Sequence, residues 1–172
     1  PAISAIGIDN YMPLSDWRDG DEAGDNPDGF NGPYDIDGLA AQIAGGEGFD
    51  WYYADFAARV ARQRSPITDG AYGKDWIFRY KDIVSWWRNP HFNRIGGVEA
   101  AEPTAWQPES KPVYFTDLGC PAVDKGPNQP NAFPDLKSSE SSLPYFSSGG
   151  RSDEAQARFL QAHFEHWNSA AA

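Results

Sequence analysis

The run Val113-Tyr114-Phe115-Thr116-Asp117-Leu118-Gly119 constrains the fold most, because it is β-rich, almost continuously apolar and fixed at both ends by proline. Pro112 precedes it and Cys120-Pro121 turns the chain away. Such a run suits a strand covered on both faces, as strands of parallel sheets are. Its counterpart is Ala2-Ile3-Ser4-Ala5-Ile6-Gly7-Ile8, which leads into Asp9-Asn10-Tyr11 before Met12-Pro13 stops the ladder. Two parallel strands would carry Asp9 and Asp117 to the same end, and in α/β folds the carboxyl ends of the strands line the binding cleft.

Between and after these strands the pattern alternates with helices. Residues 37–44 read as a short helix stopped by Gly45-Gly46. Residues 49–64 read as a longer one, with Tyr52, Tyr53, Phe56, Ala57 and Val60 on one stripe and Arg59, Arg62 and Arg64 in a basic last turn. Residues 81–88 read as helix, with Arg79, Lys81 and Asp82 expected on a solvated face. Pro103, Pro108 and Pro112 keep residues 102–112 extended. Ser152 is a fitting N-cap for a last helix that runs to about Trp167 and places Phe159, His163 and Trp167 on one face. Strand, long loop, helices, strand, long loop, helix is the order of an α/β fold with parallel strands. Two strands cannot close a sheet. With Pro1 in place of an initiator Met and an unpunctuated Ala170-Ala171-Ala172 end, residues 1–172 read as one piece of a single larger domain.

Charge narrows the partners. The formal net charge is -11, from 25 acidic and 14 basic residues, and the basic residues are scattered, whereas phosphate binding needs them clustered. Nucleic acid is therefore not an expected partner. No apolar run approaches the ~20 residues of a membrane span, and no signal peptide is visible. The single cysteine, Cys120, excludes an internal disulfide and a Cys-rich zinc site and reads as a small packing residue. The long loop 16–38 superficially resembles a calcium loop, but EF-hand spacing would put Gly24 at the first ligand position. An acidic surface loop is preferred to an irregular calcium site. The three histidines form no triad or metal set, His163 reading as a core residue, and no Gly-x-Ser-x-Gly elbow occurs. No metal or other cofactor is implied.

The chain is rich in aromatic residues, with 7 Trp, 8 Tyr and 10 Phe. Flat rings with polar edges suit sugar faces and also protein interfaces. A pair of carboxyl groups is the minimum equipment for glycoside cleavage, one as acid and the other as nucleophile or base. Asp9 and Asp117 are the candidates, although an aspartate at a strand end can equally serve a loop.

The segments Ile6 through Gly20 and Val113 through Gly126 resemble signatures of the TIM-barrel-like glycoside hydrolase domain of gene transfer agent and phage-tail baseplate proteins. Lys81-Asp82-Ile83-Val84-Ser85-Trp86-Trp87 and Lys137-Ser138-Ser139-Glu140-Ser141 extend the likeness. The resemblance implies the C-terminal part of a (β/α)8 barrel, with these strands as six and seven. It also implies a strand-seven nucleophile at Asp117, a Tyr11 that orients it, and a proton donor on strand four, upstream of Pro1. Asp9 would belong with Asp117 and Tyr11 to the catalytic group, and Asn10, Asp16 and Trp17 would line the substrate, with Trp17 stacking on a sugar. The implied setting is a particle tail baseplate made in the bacterial cytoplasm, with a cell-envelope polysaccharide as substrate and other tail proteins as partners. The family pattern has Glu where this chain has Asp117. A carboxylate pulled back by one methylene disturbs the roughly 5–5.5 Å spacing of retaining chemistry. Hydrolysis and a non-catalytic structural or glycan-binding role are thus both open.

Overall fold

A computed structural model describes residues 3–170. In chain order its elements are β1 (Ile6–Asn10), α1 (Ile36–Ala41), β2 (Trp51–Tyr52), α2 (Phe56–Val60), β3 (Ser65–Pro66), α3 (Ile83–Arg88), β4 (Arg94–Ile95), β5 (Val98–Glu99), β6 (Val113–Leu118) and α4 (Asp153–Ala170), with 3-10 turns at Gln42–Ala44, Asp75–Ile77 and Gly126–Asn128. The expected start of the first strand at Ala2 lies outside the described residues; among them the strand begins at Ile6.

The two β-rich runs pair in parallel, Ile6 with Val113, Gly7 with Tyr114 and Ile8 with Phe115. One residue is then skipped, and Asp9 pairs with Asp117 and Asn10 with Leu118. Thr116 is the extra residue of this β-bulge, which re-aims side chains where the strand ends. The expectation of a strand covered on both faces is corrected here. Phe115 packs edge-on against Trp167 of α4, with centroids 5.5 Å apart, whereas Tyr114 on the opposite face is 59% exposed. Among the described residues no third strand joins the pair, so one face has nothing to pack against. The sheet is open, and α/β architecture is what it displays.

The core lies beside the strands, not between sheets. Leu14, Phe30, Leu39, Ile43, Cys120, Phe159 and Ala162 are buried together, with Trp17, Leu118 and Trp167 packed around them. α1 and α4 supply much of this cluster. Phe30 reaches it from the long loop and lies across Gly38, where an added Cβ would come within 2.9 Å of the ring. Ser152 caps α4 as expected, its Oγ accepting from the Ala155 N–H at 3.3 Å. Truncating Phe159 to alanine removes a ring with no solvent exposure, and a loss of about 3–5 kcal/mol in urea unfolding is expected.

Two helix expectations need correction. Residues 49–64 do not form one helix. Asp55 caps α2 through a 2.7 Å bond from the Ala58 N–H, and Arg62, in the left-handed region at φ 54°, ends it. Trp51 and Tyr52 pair instead with Pro66 and Ser65. Most of the apolar stripe faces outward, Phe56 being 65% exposed, whereas Tyr53 turns in and Arg59 is buried. Arg59 turns inward because Glu47 meets it there in a two-bond ion pair of 2.8 and 2.5 Å. The second correction concerns Lys81 and Asp82, which are buried and not on a solvated face. Asp82 caps α3 at the Ser85 N–H, so the helix starts two residues later than the sequence suggests. Lys81 Nζ donates to two backbone carbonyls, Pro13 at 2.7 Å and Gly45 at 2.8 Å.

His163 is the core histidine the helix pattern implies. Its Nδ1 accepts from Trp167 Nε1 at 3.3 Å, and its ring lies 4.8 Å from that of Phe159. Burial, helped by the charges of His166 and Lys81, pushes its pKa down to about 4. An unfolded histidine titrates near 6.5. The folded state therefore binds fewer protons between these values, and the stability held above pH 6.5 is lost as pH falls toward 4. The thermal midpoint is expected to drop between pH 6.5 and 5, and His163→Gln is expected to flatten that slope whatever its effect on absolute stability.

Candidate functional site

The bulge brings four of the polar side chains at the strand ends together. Tyr11, one residue beyond β1, donates its hydroxyl to Asp117 Oδ2 across the sheet. Asp117 Oδ1 accepts from the backbone N–H of Leu118 at 2.9 Å. Thr116, the bulged residue, donates its hydroxyl to Asp9 Oδ1 at 2.6 Å. Gly7 makes room for this arrangement, since a Cβ there would lie 3.0 Å from the Thr116 methyl. The hydrogen bond to Asp117 raises the Tyr11 pKa to about 12, with burial and the charges of Asp117 and Asp9 adding to the effect. Tyr11 therefore stays a donor throughout the neutral range. The Phe133 ring stands edge-on to Tyr11 at 5.8 Å and is 44% exposed.

Asp9 and Asp117 are thus register partners at the same end of adjacent parallel strands. Neighbouring strands lie about 4.8 Å apart, so the two carboxylates stand side by side on one wall. Around them are the hydroxyls of Tyr11 and Thr116 and the rings of Tyr11, Phe133 and, two register pairs back, Tyr114. Such a ledge can accept hydroxyl protons and stack against a flat apolar face.

The other sequence candidates lie elsewhere. Asn10 is buried, and its Oδ1 accepts from the Met12 N–H at 3.2 Å, closing the turn that ends β1. Trp17 packs against the core cluster, and its backbone N–H is held by Ser15 Oγ and Asn128 Oδ1. Asp16 sits at the centre of an arginine cluster. It accepts from Tyr53 at 2.6 Å and from Arg18, Arg62 and Arg64 at 3.1–3.4 Å. Asp21 pairs with Arg62 at 2.5 Å and Asp28 with Arg64 at 2.7 Å. The loop 16–38 is therefore not a uniformly acidic surface: three of its aspartates turn inward, while Glu22 and Asp25 remain exposed. Each of those three carboxylates is already neutralised by a guanidinium.

Thr116 and Phe133 were not singled out as site residues by the sequence. Thr116 flanks Asp117 visibly, yet the bulge that aims it has no sequence signal of its own. Phe133 lies in the Pro-, Ser- and Asn-rich loop after β6, 122 residues from the tyrosine it touches. Cys120 is buried, and burial pushes its thiol up to about 12, as for an unreactive packing cysteine. Among the described residues no helix is long and apolar enough to cross a membrane.

A family model described as a GTA TIM-barrel-like domain matches residues 1–172. No curated protein matches the chain.

Proposed function

We propose, since the chain belongs to the GTA TIM-barrel-like domain family, that its strand-end ledge binds cell-envelope polysaccharide without cleaving it, as a glycan-binding and structural module of a tail baseplate. One observation carries this reading: Asp9 and Asp117 are register partners on one wall, each already held by a hydroxyl of the chain itself. Glycosidase carboxyls flank the scissile bond; two on a single wall do not. As hydrogen-bond acceptors beside exposed rings, they suit the hydroxyls and flat face of a sugar. Other tail proteins would be the macromolecular partners and a particle tail the location.

Hydrolysis is the second reading, and the Tyr11–Asp117 hydrogen bond favours it. A tyrosine fixed on a strand-end carboxylate orients a nucleophile as well as it orients a binding group. The proton donor would then come from a strand-four residue, following the family resemblance.

Co-sedimentation with purified bacterial sacculi, together with release of reducing ends, separates the two. Binding without release is expected. Phe133→Ala is expected to weaken binding about 2–10-fold, the range for losing an aromatic contact. Reducing-end release that disappears in Asp117→Asn would replace this proposal with hydrolysis, and absence of both binding and release would remove both.

A further inference from the structure

A polar cavity is lined by residues close along the chain to those of the ledge. It has a volume of about 210 Å³ and is bordered by Pro13, Glu47, Arg59, Tyr80, Gln129 and Tyr145, among others. The segments that frame it also frame the ledge. Tyr11 and Phe133 touch at the ledge, while Pro13, two residues after Tyr11, and residues 129–131, two to four residues before Phe133, line the cavity. We infer that this cavity is a second carbohydrate subsite, taking one neutral sugar ring next to the one on the ledge, so that the chain reads at least two units of a glycan. The inference rests on the glycan-binding reading above.

The chemistry of the lining supports a neutral polyol. Glu47 and Arg59 cancel each other's charge through two hydrogen bonds. A carboxylate joined side by side to a guanidinium offers an acceptor and a donor in one plane, which matches two adjacent hydroxyls of a sugar. Arg59 lies 3.9 Å from the centroid of the Tyr145 ring, which fixes that ring in the wall. Tyr80 is fixed by a different device. Gly48, at φ 83°, lets the tyrosine lie across bare backbone, and a Cβ there would overlap the Tyr80 ring.

Among the described residues the Tyr80 and Tyr145 hydroxyls and the Gln129 amide have no hydrogen-bond partner within the chain. These three groups therefore do no work for the fold that would explain their placement around one opening. The volume is below the about 300–1,000 Å³ of pockets for drug-sized ligands, which suits a single ring.

The test is calorimetric titration of the full chain with cellotetraose and chitotetraose. Gln129→Ala and Tyr145→Phe each delete a group that supports no internal hydrogen bond, so both variants should fold with unchanged thermal midpoints. Each is expected to weaken tetrasaccharide binding about 2–10-fold, as for one lost hydrogen bond. Tetrasaccharide binding that both variants retain in full would overturn the second subsite and leave the ledge standing. No binding of either tetrasaccharide by the unsubstituted chain would overturn the subsite and the glycan-binding reading together.

Discussion

Replacing Asp16 with alanine is expected to destabilise the protein by about 3–5 kcal/mol, the range for removing one partner of a buried charge cluster. The Asp16 side chain is only 3% exposed and lies within reach of Arg18, Arg62 and Arg64. Its removal leaves three guanidiniums facing one another with no central anion. It also leaves the Tyr53 hydroxyl without its acceptor. Asp21 and Asp28 still neutralise Arg62 and Arg64, so the cost stays finite and the local packing of loop 16–38 fails first. Arg18 donates to the Val60 carbonyl from the same cluster; loosening it detaches the loop from the end of α2. Urea unfolding measures the global loss, and faster tryptic cleavage at Arg18 reports the local one. Asp16→Asn keeps a hydrogen-bond acceptor and should lose less than alanine. Equal losses for the two variants would mean that charge, not shape or a neutral acceptor, holds the cluster.

The arginine cluster also explains which parts of the structure could be read from sequence. The strands could, because β-branched runs ending in Asp9 and Asp117 carry their own signal, and their parallel pairing follows from the order of elements. α4 could, because Ser152 caps it and Phe159, His163 and Trp167 recur at helical spacing. The stretch 49–64 could not. Its aromatic stripe looked like a buried helix face, but the partners that draw Arg62 and Arg64 inward, Asp16, Asp21 and Asp28, lie 36 to 48 residues away. A window of one helix length cannot see them. Lys81 misled in the same way, since its acceptors are the backbone carbonyls of Pro13 and Gly45, and a carbonyl has no residue identity to read. At the site, Asp9, Tyr11 and Asp117 were legible as polar residues at strand ends. Asn10 ends that strand and Asp16 and Trp17 follow it, yet Asn10 is spent on closing the turn, and the chain beyond carries Asp16 into the arginine cluster and Trp17 into the core. What the sequence lacked was the bulge at Thr116, which decides which side chains meet.

Lys81→Met is expected to cost about 2–5 kcal/mol, since it strands the Pro13 and Gly45 carbonyls and each unsatisfied buried acceptor costs about 1–3 kcal/mol. The substitution keeps the length and apolar stem of the side chain, so the loss reports the hydrogen bonds more than a cavity. The same lysine gives the variant a second signature. Burial drives the Lys81 pKa down to about 7, with Glu47, Asp50 and Asp28 pulling weakly the other way. A neutral amine has two N–H groups, and two carbonyls receive them. The unfolded lysine titrates near 10.4, so between pH 7 and that value the unfolded chain binds the extra proton, and stability rises with pH by up to about 1.4 kcal/mol per unit. Cys120 works in the opposite sense: burial raises its thiol to about 12, so stability is lost once pH passes the ordinary thiol range. The clean window is therefore pH 7 to 8.5. There the stability of the unsubstituted chain should climb with pH, and that of Lys81→Met should stay flat or decline. Parallel slopes in the two proteins would show that Lys81 carries its charge in the folded state, held by the two carbonyls as an ammonium.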